Sequence, residues 1–340
     1  MGRDTTIEWA HHTFNPWRGC EKVSAGCKNC YAETQSKRNP LVLGEWGPAG
    51  RRAPAAENYW KLPLQWNEEA QQAGERRRVF CLSLGDVFED RDELRPWRLR
   101  LLMLIRETPH LDWLLLTKRP ELTLEGLSYA FATSPFMHPV GPWLYNWING
   151  EPPANVFLGT SVENQTQADI RLQWLLSVPA VLHFVSMEPL LGPVDLTRIR
   201  ISDEIFGFRH PLTGCTLPAL ETAEQSAFDH PANVLPYCLD WVIVGGESGA
   251  KARPIHPDWV RSLQQQCHEA QVSFMFKQWG EFVPQGQLCG GDYGINGNQP
   301  WLPEDSTWLW RLGKKAAGRH LDCQLYDAVP DPVEADTEPE

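Results

Sequence analysis

Seven short apolar runs constrain the fold of this chain most strongly, and each run after the first ends in polar residues or glycine. Uninterrupted apolar runs are typical of strands that are buried on both faces, as in parallel sheets. The runs occupy residues 6–17, 78–86, 111–119, 154–164, 181–189, 239–248 and 272–280. The series therefore predicts an α/β fold built on a parallel sheet.

Helical patterns lie between several of these runs. Apolar residues recur at helical spacing across 94–105, after the second run. Residues 166–178 follow the fourth run with Thr166 as a candidate N-cap, and residues 256–270 follow the sixth run with Pro257 suited to an early helical position. Alternating strands and helices predict βα units. Seven strands favour a parallel (β/α) barrel, closed or partial, and a doubly wound open sheet is the alternative.

We predict one barrel domain over residues 1–328. The connections near 121–153 and 190–238 are longer than ordinary barrel connections and rich in Pro, Gly and aromatic residues, so we interpret them as insertions that form a lid or a wall of the substrate site. The acidic, proline-rich residues 329–340 predict a disordered tail.

Charge and cysteine content narrow the class of protein. A formal net charge of −12 argues against sequence-independent adhesion to a phosphate backbone, although a local basic groove is compatible with it. The chain has no apolar run of about 18 residues and no secretory signal, so we expect a soluble, cytoplasmic protein with no membrane partner. Nine cysteines without such a signal fit a reducing compartment, where clustered thiols bind metals or perform redox chemistry.

Polar side chains or glycines close each run after the first. In a parallel barrel these strand ends converge on one rim, where active sites lie. The residues concerned are Ser83, Gly85 and Asp86; Thr117, Lys118 and Arg119; Ser161, Glu163 and Asn164; Ser186 and Glu188; Gly245, Gly246, Glu247 and Ser248; and Lys277 with Gln278.

The stretch GCEKVSAGCKNC follows the first run and should open onto the same rim. Its thiols, in a C-x6-C-x2-C array, are Cys20, Cys27 and Cys30. A zinc site requires a fourth ligand, for which His11, His12 and Cys81 are candidates. An iron–sulfur cluster of the 4Fe–4S type held by three cysteines instead leaves one iron open for a substrate or cofactor, and loop glycines let the backbone wrap closely around it.

This combination resembles the radical S-adenosylmethionine superfamily, in which a three-cysteine loop follows the first strand of a partial barrel. The superfamily's commonest spacing is C-x3-C-x2-C with an aromatic residue before the last cysteine, whereas here Asn29 precedes Cys30 and Tyr31 follows it. A closer resemblance, to the phage-associated three-Cys-motif proteins, extends from IEWAHHTFNPWRGCEKVSAGCKNCYAE through LTKRPE, GTSVENQ, SMEPLLGPV, DWVIVGGESG, ARPIHPDWVRSL and FKQWGE to GKKAAGRHLD.

The resemblance implies a role for each candidate residue. The cysteine triad would bind the cluster, whose open iron chelates S-adenosylmethionine. The implied cofactor-binding residues are Ser83, Gly85 and Asp86 for the amino group, Ser161, Glu163 and Asn164 for the ribose, and Gly245, Gly246 and Glu247 for the adenine side. The candidate catalytic residues are Lys118, Glu188 and Lys277. The two lysines would supply positive charge for a carboxylate or phosphate, and Glu188 has a buried ion pair as its alternative role.

The function implied by the resemblance is a radical enzyme that cleaves S-adenosylmethionine and abstracts a hydrogen atom from its substrate. The phage association suggests a nucleotide or nucleic-acid substrate, in modification or repair, and an electron donor of the flavodoxin or ferredoxin type. The alternative is a binding module, in which the cysteines and a histidine hold zinc and the protein recognises nucleic acid or a partner without turnover.

Overall fold

The structure, a computed structural model, describes residues 2–200, 207–214, 216–218, 237–288 and 307–330. The helices in these ranges are α1 (Tyr31–Ser36), α2 (Pro40–Leu43), α3 (Glu57–Trp60), α4 (Leu62–Ala73), α5 (Arg95–Glu107), α6 (Thr123–Ala132), α7 (Val140–Ile148), α8 (Gln165–Leu175), α9 (Pro257–Glu269) and α10 (Lys314–Ala317). The strands are β1 (His12–Phe14), β2 (Trp17–Arg18), β3 (Ala53–Pro54), β4 (Arg77–Cys81), β5 (Leu111–Thr117), β6 (Val156–Ser161), β7 (Leu182–Met187), β8 (Ile199–Arg200), β9 (Gly207–Arg209), β10 (Thr216–Pro218), β11 (Trp241–Gly245), β12 (Ser273–Gln278), β13 (Phe282–Pro284), β14 (Leu309–Arg311), β15 (His320–Leu321) and β16 (Gln324–Leu325).

Seven strands form one parallel sheet in the order β1-β4-β5-β6-β7-β11-β12. Six of them lie within the predicted runs and β4 begins at Arg77, one residue before its run, so the strand predictions are confirmed. The order in the sheet equals the order along the chain, whereas a doubly wound sheet reverses its order at a switch point. The fold is therefore an α/β partial barrel with flanking helices, as predicted, and the doubly wound alternative is wrong.

The helices between the strands follow the sequence pattern with one exception. α5 and α9 lie where they were predicted, and Pro257 is the first residue of α9. The N-cap of α8 is Asn164 and not Thr166. Asn164 has extended backbone with φ −162°, and its side-chain oxygen accepts a hydrogen bond from the Gln167 N–H at 3.1 Å. Such a bond satisfies one of the amide donors left open at a helix start.

Large tryptophans fill the core beside the sheet. Trp113, Trp147 and Trp241 are each fully buried. Buried indole N–H groups require acceptors: Trp113 donates to the Thr108 hydroxyl at 2.9 Å, and Trp147 donates to the Pro179 carbonyl at 2.7 Å. All residues of β6, β7 and β11 are buried, which explains why these runs are apolar without alternation.

The described residues form two compact units, the first from 2–160 and 178–183 and the second from 161–177 and 184–330. The single domain over 1–328 stays a prediction. Residues 121–153 contain α6 and α7, which pack against each other. Much of the insertion predicted at 190–238, and most of the tail predicted at 329–340, lie outside the described residues. No helix in the described ranges has the length and apolar character needed to cross a membrane.

Candidate functional site

The three-cysteine loop follows β1 and the short strand β2, and it begins at a fixed backbone position directly after β2. The Gly19 N–H donates to the Leu84 carbonyl at 3.0 Å, and the Cys20 carbonyl accepts from the Gly47 N–H at 3.0 Å. Gly19 has φ +104°, and a Cβ there would lie 2.8 Å from the Glu45 carbonyl oxygen. A glycine is therefore required where the loop passes between these neighbouring segments.

The second half of the loop leads into α1. Cys27 ends a short 3-10 turn, and its sulfur lies 3.8 Å from the Ser24 hydroxyl. Cys30 directly precedes α1. The hydroxyl of Tyr31, the first residue of α1, donates to the Ser83 carbonyl at 2.7 Å. The loop is thus held at both ends by the segment that follows β4.

Burial dominates the pKa values of two of these thiols. Burial, followed by the Asp86 and Glu89 carboxylates, raises the pKa of the Cys20 thiol, against the opposing effect of the Arg119 guanidinium. Burial also raises the pKa of Cys30. Because a thiolate is the metal-binding form, any metal that these cysteines bind must displace their protons.

A buried ion pair lies beside Cys20. Arg119 Nη1 donates to Asp86 Oδ2 at 3.0 Å and lies 3.8 Å from the Cys20 sulfur, while Nη2 donates to the Glu21 carbonyl at 2.9 Å. Asp86 also accepts from the Thr117 hydroxyl at 2.6 Å. Parallel strands place these residues together, since Thr117 ends β5 and Asp86 lies just beyond β4.

Both oxygens of the Asp86 carboxylate are engaged within the protein. Oδ1 also accepts from the Phe88 N–H at 3.0 Å, and Oδ2 accepts from the Lys118 N–H at 2.9 Å. These contacts hold the ends of β4 and β5 together. The predicted contact of Asp86 with the cofactor's amino group stays a prediction.

The ion pair extends to two residues that sequence analysis missed, Glu89 and Arg52. Arg52 Nε donates to Glu89 Oε2 at 2.8 Å, and Arg119 Nη2 lies 3.8 Å from Glu89 Oε1. Arg52 and Glu89 are 1% and 2% exposed. The only sequence signal was an acid three residues after Asp86, because no local pattern joins Arg52 to a residue 37 positions away.

Two further predicted residues of this unit have internal contacts. The Ser83 hydroxyl donates to Asn15 Oδ1 at 3.3 Å, and the Leu84 N–H donates to the same oxygen at 2.8 Å. A Cβ on Gly85 would lie 3.4 Å from the Gly19 carbonyl oxygen. These contacts position the loop after β4 against the start of the cysteine loop, and cofactor binding by Ser83 and Gly85 stays a prediction.

The donor set of the loop fits an iron–sulfur cluster in its chemistry, since Cys20, Cys27 and Cys30 are free thiols on one short segment. They do not form a preassembled site. In the parts of the chain that the structure describes, no group of three or more His, Cys, Asp or Glu residues is arranged to hold a metal ion.

The fourth ligands considered for zinc have other surroundings. His11 Nδ1 accepts from the Arg78 N–H at 2.8 Å, and His12 Nδ1 accepts from the Asp4 N–H at 3.2 Å. These histidines lie at the amino end of β1, whereas the cysteine loop follows its carboxyl end. Cys81 is fully buried at the end of β4.

In the second unit, the structure brings Glu188 and Lys277 together. Lys277 Nζ donates to Glu188 Oε2 at 2.7 Å, and Gln278 Nε2 donates to Oε1 at 3.0 Å. A Cβ on Gly245 would lie 3.1 Å from Glu188 Oε1, so the glycine lets the backbone approach the carboxylate. The ion pair named as the alternative role of Glu188 is present.

The residues predicted to bind ribose are buried or serve the protein itself. Glu163, with 0% exposure, accepts from Arg171 Nη1 at 2.9 Å. The same Arg171 nitrogen donates to the carbonyl of Ser161, which is itself buried. Asn164 is the N-cap of α8. Ribose binding by these residues stays a prediction.

The predicted Gly-Gly-Glu segment packs against the chain after β12. Glu247 accepts from Arg253 Nε at 2.9 Å and from Arg253 Nη2 at 2.7 Å. A Cβ on Gly246 would lie 1.9 Å from the Trp279 carbonyl oxygen. Close packing against this backbone therefore explains Gly246, and the predicted adenine contact stays a prediction.

Comparison of the sequence with known protein families assigns the chain to one of them. Residues 4–330 match the family described as "Protein of unknown function (DUF5131)". The chain belongs to this family. The match itself carries no link to radical S-adenosylmethionine enzymes or to phages. Searches of curated proteins and of solved structures found no significant match.

Proposed function

We propose that this protein is a radical S-adenosylmethionine-type iron–sulfur enzyme in which Cys20, Cys27 and Cys30 hold a 4Fe–4S cluster. The observation that supports it most is the position of three free thiols on one loop between the first and second strands of the sheet of an α/β partial barrel. When bound, the cluster and S-adenosylmethionine supply one-electron cleavage to methionine and a 5′-deoxyadenosyl radical.

The protein's own contribution begins with the loop. Its first residue is pinned through Gly19 and its last through Tyr31, so both ends have fixed positions. Lys22 and Val23, between the cysteines, are exposed. We propose that movement of this exposed part gathers the three thiols when a cluster is loaded.

We propose that the substrate is a nucleotide or nucleic acid that is modified or repaired, and that a flavodoxin- or ferredoxin-type protein supplies the electron. Lys118 and Lys277 are the proposed contacts for a phosphate or carboxylate, because an ammonium is a strong point donor to such groups. The side chain of Glu188 is 20% exposed, the most accessible of the predicted acids, and its carboxylate orients the Lys277 ammonium.

Anaerobic reconstitution with iron and sulfide tests the proposal. We expect a brown protein with about four irons per chain that, once reduced by dithionite, converts S-adenosylmethionine to 5′-deoxyadenosine. Cys27→Ala is expected to abolish iron uptake and this product. Cys267→Ala is the matched control, because that free thiol is buried on α9 and is no proposed ligand.

Two outcomes contradict the proposal. A colourless protein that binds one zinc per chain would favour the binding module instead. Full iron content in the Cys27→Ala protein would show that the assignment of ligands is wrong, even if the enzyme class is right.

A further inference from the structure

Arg119 combines features that the proposed function does not yet use. It is 7% exposed, yet its guanidinium reaches three acceptors on two segments of the chain. Nη1 faces Asp86 at 3.0 Å and the Cys20 sulfur at 3.8 Å, and Nη2 donates to the Glu21 carbonyl at 2.9 Å. The guanidinium thus binds the backbone carbonyl next to Cys20 and points one N–H group towards the Cys20 sulfur.

The guanidinium is held in this orientation by groups around it. Asp86 cannot turn away, because Thr117 and the backbone N–H of Lys118 hold its two oxygens. Glu89 lies 3.8 Å from Nη2 and is itself fixed by Arg52. A planar fork held by two carboxylates loses little conformational freedom when it donates a further hydrogen bond.

We propose that Arg119 is a positioning residue that donates a charge-assisted hydrogen bond to the Cys20 sulfur and thereby raises the reduction potential of the cluster that Cys20 holds. The inference rests on the proposed function. A donor to a ligand sulfur withdraws electron density from it and stabilises the reduced, more negative cluster. Because a cation buried beside the sulfur is screened little by solvent, its effect on the cluster is stronger than that of an exposed lysine.

The experiment is an EPR-monitored redox titration of the reconstituted full chain. Arg119→Lys keeps the charge but loses the planar fork, and Arg119→Gln removes the charge. We expect both to load iron as the wild type does. The equilibrium constant for one-electron reduction should fall at least tenfold in Arg119→Gln, a shift of about 59 mV to more negative potential, and less in Arg119→Lys.

Arg76→Lys is the matched control. Arg76 Nε donates to Asp112 Oδ1 at 2.7 Å, at the amino ends of β4 and β5, whereas the cysteine loop lies beyond the carboxyl end of β1. The midpoint potential of the Arg76→Lys protein is expected to equal that of the wild type. Where Arg119→Gln fails to fold, the double variant Arg119→Gln with Asp86→Asn removes the unpaired acid and takes its place in the titration.

The possible failures are distinguishable. If the wild type takes up no cluster, the proposed function fails and this inference falls with it. If the Arg119 variants load iron and keep the wild-type midpoint potential, only the inference is overturned. Variants that fold by circular dichroism but take up no iron also overturn it, because Arg119 would then serve assembly and not the potential.

Discussion

The paired charges of the two units are organised differently. In the first unit Arg119 contacts Asp86 and approaches Glu89, which Arg52 holds, so the charges form one connected cluster. In the second unit each predicted acid meets a cation of its own. The pairs are Glu163 with Arg171, Glu188 with Lys277, and Glu247 with Arg253.

The sequence separations show which segments each arrangement joins. Arg52 and Glu89 are 37 residues apart, and Asp86 and Arg119 are 33 apart. Glu163 and Arg171 are only eight apart. Glu188 and Lys277, however, are 89 apart. Sequence separation alone therefore does not distinguish the units: the cluster of the first unit joins several segments around Cys20 through shared charges, whereas each pair of the second unit joins only two segments. Shared charges also make the cluster sensitive to the loss of any member.

Arg52→Met should have the largest effect, because it leaves Glu89 buried without its main partner. We expect the free energy of unfolding to fall by about 3–5 kcal/mol, measured by urea denaturation. Arg100→Ala is the control, since Arg100 pairs with Glu57 on the surface and its loss should cause no resolved change. A loss in Arg52→Met no greater than in the control would show that the cluster is not a stabilising unit.

Gly246→Ala tests close packing in the second unit, where the added Cβ would lie 1.9 Å from the Trp279 carbonyl oxygen. The backbone there must shift, and we expect a loss of about 1–3 kcal/mol in the free energy of unfolding. The control is Gly286→Ala, whose Cβ would meet no atom within 4 Å. Equal thermal stability of the two variants would disprove the packing explanation of this glycine.

Cys267 provides a pH test of a thiol whose pKa is raised by burial alone, whereas nearby charged groups also shift the pKa of Cys20. Burial raises the pKa of Cys267 from 9.0 to about 12, so the folded protein keeps this proton at a pH where the unfolded chain loses it. Stability from this group is complete below pH 9 and is lost as the pH rises towards 12, by about 1.4 kcal/mol per pH unit. Urea denaturation of Cys267→Ala should show a shallower alkaline decline than the wild type, and parallel declines would contradict the assignment.

Two double-mutant cycles test directly whether the charges of the two units are organised differently, and they should show the smallest effect. Arg52→Met and Asp86→Asn act on one connected cluster, and we expect the changes that they cause in the free energy of unfolding to deviate from additivity by about 0.5–1 kcal/mol. Arg171→Met and Lys277→Met act on separate pairs and should add. Additive behaviour in both cycles would mean that the first unit contains separate pairs as well.

The elements with continuous or helical patterns were predictable from sequence. All seven sheet strands coincide with the predicted runs to within one residue, because burial on both faces leaves an unbroken apolar pattern. Residues whose meaning depends on distant partners were not. Arg52 and Glu89 belong to no sequence motif. The predicted N-cap of α8 was Thr166, but the side-chain oxygen that accepts from the Gln167 N–H belongs to Asn164.

The sequence by itself determined the parallel α/β class, the positions of the strands along the chain and the position of the three cysteines after the first strand, because local apolar patterns and chain order carry this information. Only the tertiary structure decided that Asp86 is saturated by internal donors, that Gly246 packs on the Trp279 backbone, and that Arg119 faces Cys20. The physical reason is the same in each case. Long-range hydrogen bonds and close approaches depend on how the strand ends meet in space, which residue spacing does not encode.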